Sequence, residues 1–236
     1  VYASTDDGRL TSVIVPADRD GVTLEDDWDG IGQRLTGTGT TRLENVAVAP
    51  HEVIPLPDLA EPAPSYIGAF LQLYLTAVIA GVTREIVADA VALVRGRVRT
   101  YSHAAAPTPA ADPQLQQVVG EIASHALAAE ALVMLAADAL DAAAASVLDG
   151  VPDADLAAAA SLRAAKAKVV VDQLAPRIAT QLFDVGGASA TKQAHNLDRH
   201  WRNVRTLASH NPTVYKARAI GDLAINGTPL PANGFF

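Results

Sequence analysis

The sequence predicts a mainly α-helical chain behind a short β-rich N-terminal part. Three observations carry this. Between residues 65 and 183 apolar positions recur at helical spacing through long alanine-rich runs. The first 54 residues instead hold short β-branched runs broken by Asp-Gly pairs. A proline-rich stretch, PLPDLAEPAP at 55–64, separates the two and reads as a hinge.

In chain order, Thr11 to Val15 and Arg42 to Val48 are strand-like, bounded by turns at Asp7-Gly8, Asp20-Gly21 and Asp29-Gly30. Residues 36–41, TGTGTT, have the glycines of a phosphate loop but neither its lysine nor a following helix, so they form a turn between strands. The domains are therefore 1–54, a β part; 55–64, the hinge; and 65–236, a helical domain. Its first helix spans about 65–101. The second spans about 113–148 with Asp112 as N-cap. The third begins beside Asp153 and reaches Phe183, kinked at Pro176. The abundant alanine lets helices approach closely and predicts a tight bundle. A short helix and the polar turn Asn226-Gly227 follow Pro212.

Composition narrows the function. The 236 residues are 50% hydrophobic and carry a net charge of −8, which argues against a nucleic-acid groove or an anionic membrane surface. There is no cysteine, so disulfides, thiolate metal sites and a cysteine nucleophile are excluded, and a reducing cytoplasm suits the chain. Charges interrupt the alanine-rich helices, and no apolar run is expected to reach the length of a membrane span. The chain opens at Val1 in strand-like sequence and reads as the later portion of a longer protein.

Chemistry-bearing residues concentrate between Val185 and Pro212. Gly186-Gly187 follows an apolar helical run and is a helix stop, where bare backbone N–H groups can meet a phosphate or ring edge. Leu197, Trp201 and Val204 then recur at helical spacing. His210 precedes Asn211-Pro212, where the residue before proline is pushed out of the α region, so a titratable ring stands at a helix break. Upstream, Arg95, Arg97 and Arg99 close the first helix, where the helix dipole favours cations. His195, His200 and Asp198 do not share a helical face and are not a metal set. His125, alone on an alanine-rich helix, is structural.

Two stretches, DDWDGIGQRLTGTGTTRLENVAVAP and LDRHWRNVRTLASHNP, resemble flavin-dependent monooxygenases built on the acyl-CoA dehydrogenase fold, in particular the dibenzothiophene monooxygenase-like branch. The likeness covers the whole chain but only the later part of that family's domain plan. It implies part of a β-barrel-like middle domain followed by a C-terminal four-helix bundle. It also implies a homotetramer, reduced FMN delivered by an NAD(P)H-flavin reductase, and a small organosulfur, aromatic or amine substrate. FAD is the alternative cofactor. On the same resemblance, Arg97, with Arg99 as its substitute, contacts flavin phosphate, and Gly186, Gly187, Ala188 and Ser189 lie against the flavin's phosphate side across a subunit interface. His200 either lines the flavin pocket or packs in the core or an interface, and Gln33 and Arg34 are further candidate contacts. Many acyl-CoA dehydrogenases carry a carboxylate base about eight residues beyond an Arg-Asp pair, while some place theirs on another helix. Here Arg202-Asn203 is followed by Leu207-Ala208-Ser209-His210-Asn211-Pro212, without Asp or Glu. The monooxygenase branch carries histidine at this place, and His210 becomes the expected catalytic residue. The rivals are an acyl-CoA dehydrogenase using FAD and a non-catalytic helical assembly subunit.

Overall fold

A computed structural model describes residues 1–55 and 64–232. The expected hinge therefore lies largely outside the described residues. The chain divides into two compact units, 1–30 with 34–63, and 31–33 with 64–236.

The first unit holds two small antiparallel sheets. β1 (Tyr2–Ser4), β2 (Leu10–Val13) and β5 (Val53–Pro55) form one in the order β1-β2-β5; β3 (Val22–Leu24) and β4 (Thr41–Leu43) form the other. Gly8 and Gly21 adopt φ of +81° and +87°, so the first two Asp-Gly pairs turn through the left-handed region that glycine permits. The Gly39 turn is tight: a Cβ there would lie 2.0 Å from the Glu25 carbonyl oxygen. Asp27 closes it by accepting from Thr40 N and Thr40 Oγ1, both at 2.7 Å. Arg19 donates to both Glu52 oxygens, at 2.6 and 2.5 Å, and to the Ala47 carbonyl. That fork holds the Glu52 carboxyl at a pKa of about 2.

Three long helices make the second unit: α1 (Ile67–Gly96), α2 (Pro113–Ala145) and α3 (Ala154–Gly186). They pack on one another, with α4 (Asp198–Ala208) against α1 and α3, and α5 (Thr213–Asn226) against α3. The expected caps are present. Asp112 accepts from Gln114 N at 2.9 Å, and Asp153 from Asp155 N and Leu156 N at 3.0 Å each. Pro176 does not end α3, which runs on to Gly186.

One core gathers Ile79, Ile86, Ile122, Val171, Ile178, Leu182 and Val204 from four helices. Each large aliphatic side chain buried in this way contributes roughly 1.5–3 kcal/mol. A second cluster is built largely of alanine, including Ala136, Ala160 and Ala164, with Leu73 and Leu140. Small side chains at those crossings bring the helix axes close, as the composition predicts.

Two expectations are corrected. The first helix ends at Gly96, and Arg97 already takes an extended backbone, φ −78° and ψ 126°. Glycine among closely spaced arginines is a poor place to continue a helix. The second correction concerns membrane length. α2 carries an 18-residue window of mean hydropathy 1.6, long and apolar enough to cross a bilayer by length and composition. Its charges are too sparse to interrupt it, and alanine supplies the hydropathy. This helix is instead one wall of the bundle, packed on α1 and α3.

Candidate active site

The end of α3 and the end of α1 meet. Gly186 closes α3, and Gly187 takes φ +60°, the left-handed turn that releases the chain into a 3-10 segment, Gly187–Thr191. Gly187, Ala188 and Ser189 are exposed, while Gly186 is buried. Against this turn lies Arg97, whose Nη1 donates to the Val185 carbonyl at 2.7 Å. The sequence expectation named Arg97 and Gly186-Gly187 separately; the fold brings them together across 88 residues. Arg99 is exposed beyond the helix end.

His200 sits elsewhere. It is 3% exposed on the inner face of α4, and its Nε2 lies 2.7 Å from Asp89 Oδ2 of α1. Arg199 Nη2 reaches the same oxygen at 2.6 Å. Burial pushes the His200 ring below the usual histidine range against the opposing pull of Asp89. The ring meets the carboxylate through an Nε2–H donor. Burial raises the Asp89 carboxyl, but the bonds from His200 and Arg199 outweigh it and hold it below the usual range. The ring nitrogen facing Asp89 is thereby occupied within this chain.

The rest of α4 anchors a distant strip. Arg202 donates from Nε to Asp198 at 2.8 Å, from Nη2 to Asn196 Oδ1 at 2.7 Å, and from Nη1 to the Ile31 carbonyl at 3.2 Å. Asn203 Oδ1 accepts from Gln33 N at 2.8 Å, and Gln33 takes a positive φ of 56°. Residues 31–33 are held in this way against α4. Arg34 belongs to the first unit and is exposed.

His210 stands on the turn between α4 and α5. Its backbone N donates to Leu207 O at 3.1 Å, completing the end of α4, and its side chain is exposed. Two side-chain bonds anchor the chain just beyond His210. Asn211 Nδ2 donates to Gln72 Oε1 of α1 at 3.1 Å. Thr213 Oγ1 donates to Asp172 Oδ2 of α3, an oxygen that also meets Lys168 Nζ at 2.7 Å. No carboxylate occupies residues 207–212. The stretch carries an imidazole instead, that of His210.

Sequence reasoning missed Asp89, Gln72, and the Lys168, Asp172 and Thr213 set. One signal was available: Lys168 and Asp172 are four apart, flanking three valines, so both charges fall on one helical face beside an apolar run.

Known proteins share this fold. The family model for the acyl-CoA dehydrogenase C-terminal domain matches residues 73–215. A dibenzothiophene monooxygenase of Mycolicibacterium goodii is 31% identical over 231 residues, 95% of this chain and 55% of the relative. A probable FMNH2-dependent monooxygenase, SfnC, of Pseudomonas putida is 32% identical over 232 residues, 97% of this chain and 58% of the relative. The crystal structure of FMN-bound TdsC from Paenibacillus sp. A11-2 superposes with a TM-score of 0.89 at 25% identity, covering all of this chain and 61% of that one. The chain thus spans a little over half the length of the relatives it matches.

Proposed function

The chain belongs to the acyl-CoA dehydrogenase C-terminal domain family, and from that premise we propose that it is the later part of a flavin-dependent monooxygenase. The observation that carries this is His210, exposed on a doubly anchored turn where the stretch 207–212 has no carboxylate. A dehydrogenase of this fold needs a base strong enough to take an acyl α-proton. An imidazole suits a different task, taking up and returning a proton near neutral pH.

FMN is the cofactor, supplied reduced by a separate NAD(P)H-flavin reductase in the cytoplasm. The name of the Pseudomonas putida relative and the FMN-bound state of TdsC support reduced FMN as the cofactor. Bound FMNH2 supplies two electrons and activates O2, so that one oxygen atom enters the substrate and the other leaves as water. The Arg97 turn fits the cofactor's phosphate end. A guanidinium fixed by one bond to Val185 keeps further N–H groups, and the exposed backbone of Gly187 to Ser189 has open space where a Gly187 side chain would stand. His200, turned toward Asp89, ties α4 to α1. The substrate is a small organosulfur, aromatic or amine compound, and the working enzyme is a homotetramer.

The test uses the full-length protein with a flavin reductase and compares His210→Ala with Arg97→Ala. His210→Ala keeps its flavin affinity and melting temperature, while oxygenation falls about 10²–10⁴-fold and reduced flavin is spent on hydrogen peroxide. Arg97→Ala instead weakens FMN binding by about 1.5–3 kcal/mol. Normal coupling in His210→Ala, with a lowered melting temperature, would make His210 a cap and sink the reading.

A further inference from the structure

The turn that carries His210 is four residues long, Ser209 to Pro212, between the end of α4 and the start of α5. So short a connection has little freedom of its own, and Pro212 restricts Asn211 further. One end continues from α4, so the turn's placement is decided by what holds the residues that follow His210. Asn211, one residue after His210, is tied to Gln72 of α1. Thr213, three residues after it, is tied to Asp172 of α3. We infer that Asp172 and Gln72 are positioning residues, which aim the His210 ring by clamping the chain on to two different helices of the bundle. This rests on the reading of His210 as the proton-handling group.

The chemistry of the clamp favours placement over stability. Lys168 and Asp172 form an ion pair whose side chains are 2% and 5% exposed, and Gln72 is also buried. Taking such groups out of water costs as much as or more than their attraction returns, so a well-packed apolar pair would hold the bundle equally well. Both clamps also carry an unmet cost. Asp172 Oδ1 and Gln72 Nε2 are buried with no hydrogen-bond partner among the described protein atoms. What the polar groups add is direction. A hydroxyl donating to a carboxylate, and an amide donating to an amide, each fix one geometry, whereas apolar contacts tolerate sliding. Lys168 orients Asp172, and the carboxylate in turn orients Thr213 at the first position of α5. Catalytic groups are held to small fractions of an ångström in this way, by side chains that never touch the reacting atoms.

The experiment compares Thr213→Val, which removes the hydroxyl at nearly constant shape, with Thr213→Ser, which restores it. Both are made in the full-length protein, and two readouts are taken. Backbone hydrogen exchange over residues 209–216 is expected to quicken about tenfold or more in Thr213→Val and to stay near wild type in Thr213→Ser, as loss of a bond to a charged acceptor implies. With reductase, FMN, O2 and a turned-over substrate, the fraction of reduced flavin lost as hydrogen peroxide rises in Thr213→Val and returns in Thr213→Ser, with flavin affinity unchanged. Should Thr213→Val fail to fold, Gln72→Leu probes the other clamp with the same readouts. Wild-type exchange in a folded Thr213→Val or Gln72→Leu overturns the inference. So does wild-type coupling in either variant where His210→Ala is uncoupled. If His210→Ala itself stays coupled, the catalytic reading of His210 has failed, and the exchange rates alone decide whether the clamp holds the turn.

Discussion

Lys216 is 2% exposed, one turn into α5 and close enough to Lys168 and Asp172 to feel both. Burial, with the repulsion of Lys168 added, pulls its ammonium down from 10.5 to about 8, and Asp172 only partly opposes this. The sign of the consequence follows from proton counting. Between about pH 8 and 10.5 the unfolded chain holds the Lys216 proton and the folded chain has released it, so stability rises with pH across that window. Lys216→Met removes this group from both states. The urea midpoint of wild type, relative to Lys216→Met, is therefore expected to climb from pH 8 to pH 10; a constant difference would show that burial does not shift the lysine. None of this was legible in the sequence, where Lys216 is one more cation on an amphipathic helix. His210 was legible, because Asn211-Pro212 marks the break beside it. His200 was only half legible. Its helix was evident, but the partner that claims its ring, Asp89, lies 111 residues away, and local spacing carries no trace of such a pair.

At the scale of elements, the starts of α2 and α3 could be read because each cap is local: Asp112 and Asp153 bind backbone amides two or three residues on. The end of α1 was harder. Arg95, Gly96 and Arg97 satisfy the rule that cations favour a helix C-terminus and yet leave its exact residue open. The docking of residues 31–33 on α4 could not be read at all, since the Gln33–Asn203 bond spans 170 residues. That docking makes a sharp prediction for Gly32. A Cβ at this position would lie 2.3 Å from the Arg202 carbonyl oxygen and 2.7 Å from Thr206 Oγ1. The nearer obstacle is backbone, which cannot swing away as a side-chain end would. Gly32→Ala is therefore expected to cost about 1–3 kcal/mol, the range for overpacking a filled site. Gly37→Ala, with nothing within 4 Å of its added Cβ, serves as control and is expected to stay near wild type. Equal thermal melts for the two variants would mean that the 31–33 strip does not lie against α4.

For the whole molecule, the question is what covers the outer face of α2. Only 22% of its apolar window is buried within this chain, and Leu127, Met134 and Leu135 stand exposed. Beside them a shallow groove between α1 and α2 is lined by Val133 and Met134 and by Ala77, Ala80 and Gly81, whose small side chains leave room for a facing one. A bilayer would also cover apolar surface, but Arg84 and Glu130 line the same groove, 3.5 Å apart and well exposed, and suit the polar rim of a protein contact. Contiguous apolar faces of this kind are rare on proteins that work as monomers and mark contact surfaces. A second copy of the chain meets the requirement: one self-complementary patch pairs two copies about a two-fold axis, and a second such patch joins two pairs into the proposed homotetramer. The full-length protein is therefore expected to give a mass of four protomers by light scattering at micromolar concentration. Leu127→Glu with Met134→Glu places charge in the middle of the contact, where it cannot be paired, and is expected to shift the distribution to smaller species while the helical circular dichroism is retained. A wild-type protein that stays monomeric across that concentration range would leave the α2 face to some other partner, and the homotetramer would have to be given up.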